Sequence, residues 1–200
     1  VQLQGMVMAD WLIIIILLAV GLFAGFLAGV FGIGGGTVLV PIFLTLFPLI
    51  GFKHDLMMHI AVSTSLALII PTAIASTYSH FDAGHLDLRM LKKWAPGLVI
   101  GILASAIVIH SIPPFVLKIF FTVYLLVCFL FTLLKPEGEG LNKIGPGPWV
   151  SSISSFFVGG LSTLLGTGGG TFTVPILLYF DYPLKKGIAI SAVTGLFIGL

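Results

Sequence analysis

Charge is what this chain has least of. Asp, Glu, Lys and Arg make up 8% of its 200 residues, against about a quarter in soluble domains. Nine basic and seven acidic side chains leave a net charge of +2, too little for a nucleic-acid surface, which needs a basic patch. The single cysteine, Cys128, lies in an apolar run, so there is no disulfide framework and no redox compartment follows. His54, His59, His80, His85 and His110 share no metal-ligand spacing, so no metal or other cofactor is expected. Before Trp11 there is no Lys or Arg, which argues against a cleaved signal peptide. No Walker lysine follows either glycine run and no G-x-S-x-G elbow exists, so ATPase and hydrolase chemistry are excluded and the chain is read as a non-enzyme.

What the sequence has instead is apolar length. Hydrophobic residues make up 58% of it and the mean hydropathy is +1.20. The apolar runs are continuous and longer than the roughly ten-residue strands of a membrane barrel. The fold class is therefore all-α integral membrane, a polytopic helical bundle. Segments are expected at about Trp11–Phe31, Val38–Ile50, Leu56–Tyr78, Trp94–Ile109 and Phe115–Leu134, with a polar loop at Ser79–Lys93. Gly21, Gly25 and Gly29 fall four apart in the first of these and read as a packing face.

Two stretches organise the rest. Gly32–Pro41 reads G-I-G-G-G-T-V-L-V-P, and 134 residues later Gly166–Pro175 reads G-T-G-G-G-T-F-T-V-P. Ala61-Val62-Ser63 recurs as Ala189-Ile190-Ser191. The chain thus divides into a first transmembrane repeat (1–138), a linker (139–148) rich in Gly, Pro and charge, and a second repeat (149–200). Leu200 falls within an apolar run; repeat arithmetic expects about sixty further residues in a full second copy. If every segment crosses the membrane, Arg89, Lys92, Lys93, Lys135, Lys143, Lys185 and Lys186 share one side, leaving Lys53 and Lys118 on the other. That asymmetry is what cytoplasmic loops show, and five crossings per repeat invert the second copy.

Irregular backbone inside a bilayer persists only where protein or a watery cavity satisfies it, and paired Gly/Pro-interrupted segments point to a transporter's site. Helices are expected to begin just after each glycine run, with their N-termini facing one another. Unpaired N–H groups and positive dipole ends then make an anion site without a buried Lys or Arg. The candidate substrate-binding residues are Gly34, Gly35, Gly36 and Thr37 in the first copy and Gly168, Gly169, Gly170 and Thr171 in the second. Ser63, Thr64 and Ser191 are added from the repeated helix. A side chain at Gly35 or Gly169 is expected both to strain the backbone and to fill the anion's space. An anion-selective channel is the rival reading, and glycine-mediated packing in a structural membrane subunit the third. No carboxylate lies mid-span to relay protons.

The doubled G-x-G-G-G-T-x-x-x-P phrase resembles the sulfite exporter TauE/SafE family of bacterial and plant membrane transporters. The Ala61-Val62-Ser63-Thr64-Ser65 run and the His80…Gly84-His85-Leu86-Asp87 stretch are similar to that family as well, and the likeness runs from about Met8. The resemblance implies secondary transport of sulfite or organosulfonates across a bacterial inner membrane. The partners expected are a small anion and the lipid bilayer, without nucleic acid, and with a homodimer as an open assembly state.

Overall fold

The computed structural model describes residues 35–49, 56–133 and 146–200, with isolated positions between 15 and 26. Gly25, Gly29 and Gly34, and residues 134–145, which include the first part of the linker, lie outside the described residues. Seven helices follow: α1 (Gly35–Leu49), α2 (Met57–Asp82), α3 (Leu88–Val108), α4 (Pro114–Leu133), α5 (Pro148–Leu165), α6 (Gly170–Tyr179) and α7 (Leu184–Gly199). Among the described residues there is no strand. The protein is an all-α integral membrane bundle. Among the described residues, three helices are long and apolar enough to span: α2, α3 with its 3₁₀ extension to Ser111, and α5.

The polar stretch between α2 and α3 is mostly helix rather than the loop expected over Ser79–Lys93. Only residues 83–87 are non-helical. Asp87 is the reason, because its carboxylate accepts from the N–H groups of Arg89 and Met90 and so starts α3 six residues before Trp94. Gly84, at φ +67°, makes the turn.

Two contact series give the directions of the helices. Along α7, Lys186 reaches Asp87, Gly195 meets Ala73 and Ile69, and Gly199 meets Ile70 and Leu66. Rising numbers in α7 meet falling numbers in α2, so these two helices, which carry the repeated A-V/I-S, pack antiparallel. On α3, Lys93, Leu98 and Gly101 meet Ser152, Gly159 and Gly160 of α5 in turn, so those two run parallel. It follows that α5 begins at the Asp87 end. The chain then turns at residues 166–169, and α6 returns to that same end, where Tyr182 meets Asp87. α1 runs the other way, toward the start of α2, packing Phe43 and Phe47 with Met57, Met58, Leu117 and Phe121. A second apolar cluster, centred on Trp94, Leu98, Leu177 and Ile190, fills the Asp87 half.

Candidate functional site

α6 has ten residues, or about 15 Å of helix, half of a roughly 30 Å hydrocarbon core. It is therefore too short to cross a membrane by itself. The break before it is built by glycine at two points where the backbone turns left-handed: Gly166 at φ +65° and Gly168 at φ +72°. Gly166 closes α5, its N–H folding back on the Ser162 and Thr163 carbonyls, as left-handed glycine caps do. Ser65, fully buried on α2, donates to the Gly166 carbonyl at 2.7 Å. The turn is thus tied to the neighbouring helix from outside.

The two glycine phrases meet. Thr37 in the first turn of α1 and Thr171 in the first turn of α6 have hydroxyls 3.4 Å apart. Gly36 lies so close to Gly166 and Thr167 that a Cβ there would overlap the Gly166 carbonyl oxygen. Because α1 leaves toward the Met57 end and α6 toward the Asp87 end, their N-termini converge at one place. Tyr124 of α4 joins them: its hydroxyl lies 3.4 Å from that of Thr37, and its ring packs on Phe172 with centroids 4.8 Å apart. Nothing in the sequence around Tyr124 marks it. A cavity of about 360 Å³ runs alongside α6, lined by Thr171, Phe172, Pro175, Ile176 and Tyr179 with Val127 and Ser154 opposite.

Several expectations need correcting. Helix begins at Gly35 in the first described copy and at Gly170 in the second, so the closing glycines form the first turn rather than preceding it. Pro41 and Pro175 stand inside their helices, each missing the N–H that would reach the threonine carbonyl four residues earlier. Gly35 is roomy, with only Leu39 Cδ1 at 3.8 Å from a would-be Cβ; the crowded position is Gly36. Gly169 has an ordinary φ of −72°, and its glycine is required by Thr194, whose Cγ2 lies 2.5 Å from a would-be Cβ. Gly34 lies outside the described residues. Ser63 points outward and is exposed, Thr64 donates to its own helix at the Ile60 carbonyl, and Ser191 is buried on α7.

One charged junction lies away from this centre. Asp87 accepts from the Tyr182 hydroxyl at 3.0 Å and faces the Lys186 ammonium at 3.8 Å, joining the α2–α3 turn to the α6–α7 turn. Burial pushes the Asp87 carboxyl up. The Met90 N–H, the Tyr182 hydroxyl, the Arg89 N–H and Lys186 outweigh it, so the group titrates below the usual carboxylate range. Burial, then the hydrogen bond to Asp87 and its charge, push Tyr182 upward.

Comparison with known proteins adds to this geometry. Residues 17–200 match the profile of the family described as sulfite exporter TauE/SafE. A probable membrane transporter protein of Haemophilus influenzae is 33% identical over 190 residues, covering 94% of this chain and 71% of that protein. Probable membrane transporter proteins of Methanocaldococcus jannaschii and Bacillus subtilis are each 28% identical, over 191 and 200 residues. These cover 90% and 88% of this chain, and 67% and 72% of the relatives. No solved structure matches the chain.

Proposed function

The chain belongs to the sulfite exporter TauE/SafE family, and from that premise we propose that this membrane transporter is a secondary carrier of small sulfur-containing anions, sulfite or an organosulfonate. The anion sits where α1 and α6 start. The observation that carries this reading is the 3.4 Å approach of Thr37 to Thr171, which brings two helix N-termini and their unpaired N–H groups to one point. Helix N-termini bind oxyanions without a cationic side chain, and broken helices do so at the repeat interface of transporters. The antiparallel course of α2 and α7 supports an inverted pair of repeats. The apolar cavity beside Thr171 suits the carbon portion of an organosulfonate.

The test is uptake of labelled sulfite, sulfate and sulfonates into proteoliposomes containing the full-length protein. Saturable flux with preference for sulfite or a sulfonate is the expected result. Conductance that neither saturates nor discriminates among anions of similar size would indicate a channel instead.

Orientation follows from the basic residues. Among the described ones, Arg89, Lys92, Lys93, Lys185 and Lys186 lie at the Asp87 end and Lys118, in the first turns of α4, at the other. The Asp87 end therefore faces the cytoplasm in this reading. In intact cells, with Cys128 replaced, Lys92→Cys should resist a membrane-impermeant thiol reagent. Ready labelling from outside would reverse the topology.

A further inference from the structure

Hydroxyls inside membrane helices usually donate back to a carbonyl three or four residues earlier. Thr64, Thr72, Ser105, Ser155 and Thr163 all do so here. Ser162, Thr167, Thr173 and Thr194 do not. Each is 0% exposed and has a hydroxyl oxygen with no hydrogen-bond partner. A buried hydroxyl without a partner is costly, so four of them at one place call for a ligand.

All four lie at, or within about one helical turn of, the same break. Thr167 lies inside the break, its N–H on the Ser162 carbonyl at 3.1 Å, and the Thr173 N–H bonds to the Gly169 carbonyl at 3.1 Å. Thr194 packs directly on Gly169. The other orphaned atoms among the described residues, His59 Nδ1, Thr77 Oγ1 and Trp94 Nε1, lie away from this break.

We propose that these four hydroxyls, at the break between α5 and α6, bind a monovalent cation of the sodium class. The break joins two helix ends of opposite sign: the first N–H groups of α6 serve the anion, and the end of α5 is left to a cation. α5 ends here, and the last carbonyls of a helix carry its negative dipole end. Hydroxyl and carbonyl oxygens are hard ligands, suited to alkali and alkaline-earth ions. The four hydroxyls are neutral ligands, which suits a monovalent ion better than a divalent one that takes carboxylates. Helix ends and unwound backbone hold such ions in transporters built on broken helices. Thr167 lies against Gly36, the neighbour of Thr37, so cation and anion would occupy adjoining sites and offset each other in a layer of low dielectric. The role as driving ion rests on the anion-carrier reading; the cation site itself does not.

The experiment is thermal melting of the purified full-length protein in sodium, potassium and choline gluconate at equal ionic strength, without any sulfur anion. Wild type, Thr194→Val, Thr167→Val and Ser162→Ala are compared. Sodium should raise the wild-type Tm above its value in choline, and the three variants should lose that increment. In choline the valine variants should melt no lower than wild type, and up to roughly 2–4 °C higher, because a methyl group replaces an orphaned hydroxyl. Ser162→Ala keeps the test decisive if a valine fails to fold. Equal melting of wild type in all three salts overturns the proposal, as does a sodium increment that survives in every folded variant. A second series adds sulfite: if the variants keep the sodium shift but lose a sulfite-induced one, the hydroxyls belong to the anion and the cation site is disproved. A carrier that moves no sulfur anion would still show the sodium shift, so the two readings fail separately.

Discussion

Gly36→Val is expected to abolish transport, while Gly35→Ala, one residue earlier, leaves it near the parental rate. The contrast comes from what each side chain would meet. A Cβ at Gly36 overlaps the Gly166 carbonyl oxygen and comes within 2.7 Å of Thr167 Cα. Those are backbone atoms of a turn that Ser65 pins, so neither side can yield as a flexible side chain would. Overpacking in a well-ordered core costs about 1–3 kcal/mol and more where the backbone must move. Here the displacement falls on the contact that brings the two helix N-termini together. At Gly35 the nearest atom stands at 3.8 Å, an ordinary contact, and alanine in a helix gains about 0.5–1 kcal/mol over glycine. Uptake in proteoliposomes and size-exclusion profiles of both variants decide the matter. A monodisperse Gly36→Val protein with parental flux would mean that the two glycine runs do not touch.

The largest loss of stability is expected at the seam between α3 and α5. Gly97 faces the Ser152 carbonyl and Ser155 Oγ, Gly101 faces the Phe156 carbonyl, and Gly159 approaches the Leu98 carbonyl. In lipid no hydrophobic effect drives helices together. Their association depends on close van der Waals contact through small residues and on weak Cα–H···O contacts. Gly97→Leu would hold the two helices apart along their length. A penalty of about 3 kcal/mol lowers Tm by roughly 6–12 °C in a chain of this size. Gly160→Ala is the control, since its Cβ would meet only the Gly101 carbonyl, at 3.5 Å. If Gly97→Leu melts with Gly160→Ala, the seam is looser than described.

The all-α membrane bundle was legible in the residues, because apolar length is a local property. The packing seam has its own trace in the residues. Gly97-Leu-Val-Ile-Gly101 has the same spacing of four that draws attention to Gly21, Gly25 and Gly29, but it sits beside a charged stretch that reads as loop. One capping carboxylate, Asp87, accounts for that misreading. Which glycine of a triplet is crowded was not legible. Gly35 and Gly36 are identical neighbours until the carbonyl of a residue 130 positions away is brought against one of them. Tyr124 and the unpaired hydroxyls around Gly166–Gly169 belong to the same class, since their significance lies in contacts across the bundle. The weak hydropathy contrast around the helix breaks carries no trace of it.

The meeting of Thr37 with Thr171 restricts what evolution could put there. These residues hold the same place in two similar phrases, so the position meets its own counterpart. Only a group that is a good partner for itself survives that encounter. A hydroxyl qualifies, because it both gives and accepts a hydrogen bond. Two like charges at 3.4 Å would repel by about 5 kcal/mol at an effective dielectric constant near 20. A like-charged pair is thereby disfavoured at the junction, which neutral hydroxyls hold instead.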